Sequence, residues 1–112
     1  MPPDFAPTVY LLASRRNGTL YIGVTSNLIQ RIYQHRMGLF PGFTQKYAIK
    51  RLVWFEPHMT MEQAILREKR IKKWNRAWKL DLIEQQNDKW RDLAEDLGFE
   101  AMADTRFPLS RD

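Results

Sequence analysis

The stretch AILREKRIKKW, residues 64–74, carries a single carboxylate, and a helical wheel sets it near the middle of the apolar stripe, between Ala64, Ile65 and Ile71. An ionised Glu68 facing inward is costly unless it meets a cation or hydrogen-bond donors. Two solutions exist: a buried ion pair, with Arg31 the obvious candidate, or a divalent metal. Arg31 and His35 stand four residues apart, so on a helix they are neighbours. Leu28, Ile32 and Leu39 define the buried stripe of that helix, with His35 almost in line and Arg31 at its margin. A histidine there is either a satisfied core residue or a catalyst, and an arginine at a stripe edge commonly snorkels. One acid, one guanidinium and, as set out below, two phenols on a basic domain form a set suited to a phosphodiester.

The elements that must position these groups are legible in outline. Thr8–Ser14 is rich in β-formers, Asn17-Gly18 is a strong hairpin signal, and Leu20–Thr25 gives a second strand. A two-residue turn there pairs Leu11 with Val24 and Ala13 with Ile22 on one apolar side. Tyr10, Ser14, Tyr21, Gly23 and Thr25 share the other. Gly23 beside the tyrosines leaves backbone open to close approach by a ligand. Ser26 or Asn27 can cap a helix running through Leu39, ended by Gly38, Pro41 and Gly42, with a loop to about residue 48. Arg51–Glu56 reads as a third strand closed by Pro57. Thr60 with Gln63 forms a capping-box pattern for the long helix. Asn75 breaks it, and Ala77–Gln86 and Lys89–Leu97 read as two shorter helices, with Gly98 a C-cap. The order predicts a small α+β domain over residues 8–97, with residues 1–7 an arm and 98–112 a tail.

The totals narrow the partners. Eighteen Lys and Arg against thirteen Asp and Glu give a formal charge of +5, which favours nucleic acid first and an anionic membrane surface second, or simply keeps the chain in solution. There is no cysteine, so disulfides, thiolate zinc sites and cysteine nucleophiles are excluded. No secretory signal or apolar run of membrane-spanning length is visible, and a cytoplasmic setting fits best. Around Glu68 stand Arg67, Lys69, Arg70, Lys72, Lys73, Arg76 and Lys79, with Lys46 in the earlier loop. These are candidates for phosphate contact, or else a solvated basic face. Trp74 and Trp78 interleave with them and are read as core.

This ordered set resembles the GIY-YIG nuclease family, in particular its small single-domain prokaryotic branch. The second signature triad stands as Tyr21-Ile22-Gly23, and the first appears as Val9-Tyr10-Leu11, which keeps the tyrosine and loses the Gly-Ile frame. Arg31, His35, the glutamate helix, the run EKRIKKWNRAWK and the later NDKWRDL follow in family order. The resemblance implies a ββαβα core, with a three-stranded antiparallel sheet flanked by helices and extra C-terminal helices. It implies metal-dependent hydrolysis of DNA phosphodiesters, with a place in repair or recombination; the competing reading is a non-catalytic or weakly active nucleic-acid-binding module on the same fold. By position, Glu68 would hold one Mg²⁺ or Mn²⁺ and Arg31 would contact the scissile phosphate. Tyr10 and Tyr21 would line the site, with Tyr10 as base and His35 assisting. Asn87 resembles a family asparagine near the site, although the usual following Pro is here Asp88. The residues do not separate DNA from RNA, or duplex from branched or single-stranded DNA. With only short tails beyond the core, specificity would fall to a protein partner or an unusual DNA structure.

Overall fold

The computed structural model describes residues 6–39, 42 and 46–102. The expected N-terminal arm to residue 5, much of the loop before residue 46, and the tail from residue 103 lie outside them. The elements run β1 (Thr8–Ala13), β2 (Leu20–Thr25), α1 (Leu28–Arg36), β3 (Arg51–Pro57), α2 (Met61–Lys73) and α3 (Arg76–Gln86), closed by a 3-10 turn over Leu93–Leu97. The three strands form one antiparallel sheet in the order β2-β1-β3. The predicted α+β class and three-stranded sheet are both present.

β1 is central, and its sequence TVYLLA is buried at every position. Alternation therefore feeds two cores rather than one core and one wet face. Val9, Leu11 and Ala13 pack with Ile22, Val53, Trp54, Ala64 and Ile71 on one side. Tyr10 and Leu12 pack with Leu28, Ile32, Ile49 and Leu52 on the other. An irregularity between Leu11 and Leu12, opposite Trp54 and Leu52, leaves Val53 as the extra residue of a bulge on β3.

The hairpin register differs from expectation. Leu11 faces Ile22, Ala13 faces Leu20 and Tyr10 faces Gly23, a slip of two positions. The turn is centred on Arg16-Asn17, closed by Gly18 N donating to Arg15 O (2.9 Å), and Asn17 takes the left-handed conformation at φ 58°. Asn17 tolerates that conformation, so the loop is longer than the Asn-Gly dipeptide suggests. A slip of two preserves the faces, so both tyrosines remain on one side.

The helix boundaries follow their caps. Asn27, Thr60 and Asn75 each accept a hydrogen bond from the backbone N–H three residues on. Trp74 closes α2, its N–H donating to Ile71 O, and Asn75 opens α3. α1 stops at Arg36, with Gly38 at φ 71° beyond it, so Leu39 is exposed instead of completing the buried stripe. The expected helix over Lys89–Leu97 is only the 3-10 turn, capped by Asp92 and stopped by Gly98 at φ 101°. No helix among the described residues is long and apolar enough to cross a membrane.

Candidate active site

The site begins at the middle of the hairpin. Tyr10 on β1 lies opposite Gly23 on β2, and its ring fills the space a side chain at position 23 would need. A Cβ there would sit 2.5 Å from both Cζ and Oη of Tyr10. The open backbone expected at Gly23 is therefore occupied by the protein's own phenol, and Gly23 is buried rather than presented to nucleic acid. Tyr21 stands two residues earlier on the same face, its ring 6.3 Å from that of Tyr10.

α1 crosses this face and delivers His35 and Arg31. His35 is 3% exposed and makes edge contacts with both phenol rings, at 5.9 and 5.6 Å between centroids. Its Nε2 lies 3.2 Å from Tyr10 Oη. Burial, and then the charge of Arg31, lower the His35 pKa to about 4, so the imidazole is neutral and shares a hydrogen bond between its Nε2 and Tyr10 Oη. The phenol itself is pushed up. Burial is the main cause and Tyr21 adds to it, while the charge and hydrogen bond of half-buried Arg31 pull the other way. In this state Tyr10 keeps its proton, and burial opposes the base role expected of it.

Glu68 comes from the other layer. α2 packs Ala64 and Ile71 into the opposite core and meets β2 and β1, so Glu68 on the same stripe is 8% exposed. Its charge reaches Tyr10, whose pKa it helps to raise. The ion-pair partner is Lys72, one helical turn on, with Nζ 3.2 Å from Oε2, rather than Arg31 as first suggested. Lys72 is itself 63% exposed and can give way. Among the described residues its ion-pair partner is a flexible exposed ammonium, and such a carboxylate suits one hard divalent cation that takes its other oxygens from water and substrate phosphate. Among the described residues there is no cluster of three or more His, Cys, Asp and Glu, so the donor set suits neither a closed cage nor a two-metal centre.

The structure thus brings Tyr10, Tyr21, Arg31 and His35 together and sets Glu68 within electrostatic reach of Tyr10; the basic candidates divide. Lys69, Arg70 and Lys73 are exposed on α2. Arg67 is bound to Glu56 (Nε–Oε1 3.0 Å) and lies over the Trp74 ring at 5.4 Å. Lys46 is exposed and lies over Tyr47. Arg76 donates to the carbonyls of Asn17 and Gly18, while half-buried Lys79 lies one turn beyond it. Trp78, read from sequence as core, is 56% exposed and meets Trp74 edge to face.

Asn87 is 5% exposed and its amide is spent on backbone. Nδ2 donates to Val53 O and Arg91 O, and Oδ1 accepts from Arg91 N. It clamps α3 to β3 and has no group left for nucleic acid, which corrects the binding role expected of it. Sequence reasoning also missed Asp92. It is buried, accepts from Leu52 N and Ala94 N, and pairs with Arg36 at the end of α1. Its one legible signal was a capping residue before LAEDL.

The model of the GIY-YIG catalytic domain matches residues 6–81, a span that holds Tyr10, Tyr21, Arg31, His35 and Glu68. The chain belongs to the GIY-YIG family. That is a family of nucleases, which makes nucleic acid the substrate class of the fold. Similar proteins include a UPF0213 protein of Clostridium perfringens, 37% identical over 81 residues that cover 72% of this chain and 86% of that one. Another, from Syntrophus aciditrophicus, is 36% identical over 78 residues, covering 69% and 88%. The solution NMR structure of a UPF0213 protein from Bacillus halodurans aligns with a TM-score of 0.50 at 24% identity, over 84% of this chain and 98% of that one, a likeness of fold.

Proposed function

We propose that this GIY-YIG domain hydrolyses phosphodiester bonds in DNA, with Tyr10, Tyr21, Arg31, His35 and Glu68 as its machinery. The observation that carries the reading is the 3.2 Å contact between Tyr10 Oη and a neutral His35 Nε2. It stands beside an arginine bonded to the same phenol and within electrostatic reach of a nearly buried carboxylate.

In this reading Arg31 forks onto the scissile phosphate with two parallel hydrogen bonds, which a lysine cannot reproduce. Tyr10 takes a proton from the attacking water while its own hydroxyl proton passes to Nε2 of His35. The nucleophile becomes hydroxide, Tyr10 stays neutral throughout, and the charge ends on the imidazolium. Tyr21 packs against both rings and holds them in register. Glu68 would hold Mg²⁺ or Mn²⁺, which would supply neutralisation of the charge building on the departing oxygen. The low pKa of His35 limits how far the relay runs before phosphate arrives to favour the imidazolium.

The test is incubation with nicked, branched, single-stranded and duplex DNA, and with RNA, with and without Mn²⁺. Cleavage that needs the metal is expected. Glu68→Ala should abolish it, and Arg31→Lys should lower kcat by roughly 100-fold, the effect of one lost donor worth ~3 kcal/mol. Binding without cleavage under every condition defeats the nuclease reading and leaves a nucleic-acid-binding module, the alternative that the raised Tyr10 pKa favours. A role in repair or recombination follows only if branched or nicked substrates are preferred.

A further inference from the structure

Away from the catalytic residues, like charges converge at the hairpin tip. A cavity of about 480 Å³ is lined by Arg15, Gly18 and Thr19 of the turn and by Arg76 and Lys79 of α3, and no acidic residue lines it. The charges come from segments about sixty residues apart in sequence, and the cavity is built rather than incidental. Arg76 Nη2 donates to Asn17 O at 2.8 Å and to Gly18 O at 2.7 Å, fastening the turn to the start of α3. Arg76 is thereby spent on the wall. Exposed Arg15 and half-buried Lys79 supply the remaining positive charge. Lys79 follows Arg76 by three residues and so lies on the same side of the helix. Concentrating cations without a carboxylate costs stability, and an anion removes that cost.

Leu20, at the start of β2, also lines the cavity, and alternation turns its side chain to the face of the sheet opposite Tyr21. We propose that this cavity is a second phosphate seat, which grips the nucleic-acid backbone at the hairpin tip, away from the bond to be cut. This rests on the nuclease reading and adds to it an anchor on the backbone outside the catalytic residues.

The experiment compares the full chain with R15A/K79A and with the charge-matched control K89A/R91A. Fluorescence anisotropy on a labelled duplex is measured across salt concentrations, with KM and kcat for a cleaved oligonucleotide. R15A/K79A should weaken binding about tenfold at low salt and flatten the slope of log K against log salt by about 1 to 2. It should raise KM with kcat within about twofold, because the seat binds ground and transition states alike. The control should change each quantity less than half as much. Unaltered thermal unfolding confirms that both variants fold, and R15Q/K79Q repeats the comparison with less loss of packing. Equal losses in the two pairs overturn the seat while leaving the nuclease reading intact. If inorganic phosphate raises the unfolding temperature of wild type but not of R15A/K79A, and the salt slopes on DNA agree, the cavity takes free phosphate and the backbone seat is overturned. A wild-type protein that neither binds nor cleaves nucleic acid takes down both readings.

Discussion

At position 23 one missing carbon decides where a phenol lies. Because Tyr10 Oη would meet a Cβ at 2.5 Å, Gly23→Ala must push the ring off the strand or part β1 from β2. The expected cost is about 1–3 kcal/mol of stability, measured by urea unfolding. A larger loss of cleavage should accompany it, because the phenol leaves His35. Stability and activity both unchanged would show that the ring has room to move. Glu68, Arg31, His35 and the two tyrosines were legible from residue type and spacing, since an acid on an apolar stripe needs a partner wherever it is. The occupant of Gly23 was not. A glycine announces space, and only packing says whether a ligand or the chain's own ring fills it. The partner of Glu68 was hidden for a similar reason, because a wheel shows Lys72 on the surface and does not show its stem folding back.

Among the elements, α1 matters most, since it carries Arg31 and His35, and it is anchored at its far end. Asp92 joins three pieces: Arg36 of α1, Leu52 N of β3 and Ala94 N of the 3-10 turn. Asp92→Ala leaves a largely buried guanidinium unpaired and two amides without an acceptor. A loss of about 3–5 kcal/mol is expected from breaking a buried pair at one partner. Asp92→Asn, which keeps an acceptor, should recover part of it, and denaturant unfolding reads both. Equal stability of Asp92→Ala and wild type would mean that the clamp is idle. The helix caps at Thr60 and Asn75 were readable because capping is local chemistry. The hairpin register was not, because Asn17-Gly18 fits a two-residue turn and the four-residue loop has its Asn17 and Gly18 carbonyls held by Arg76 from far along the chain. Likewise α1 ends a turn early because Gly38 adopts a positive φ, although the apolar pattern continues to Leu39.

For the molecule as a whole, the neutral burial of His35 makes folding depend on pH. Its pKa is about 4 in the folded state and about 6.5 when unfolded. Between those values the unfolded chain holds the proton and the folded chain does not, so stability rises with pH across that window. It is complete above about pH 6.5 and is lost as pH falls toward 4, by up to about 3 kcal/mol. His35→Gln should flatten this part of the profile in thermal unfolding, and identical slopes for the two proteins would contradict it. The general architecture was readable from element order, but burial on both sides of the sheet was not. TVYLLA alternates too weakly to say which residues face water, and the answer is that none do.

The tryptophans are divided in a way that has a practical use. Trp54 and Trp90 are each 1% exposed, Trp74 is half-buried, and Trp78, edge to face with Trp74, is 56% exposed. Two indoles therefore emit from an apolar interior, one from its margin and one largely from water. The chain thus carries an intrinsic optical probe on the surface of α3, readable by collisional quenching without attaching a dye.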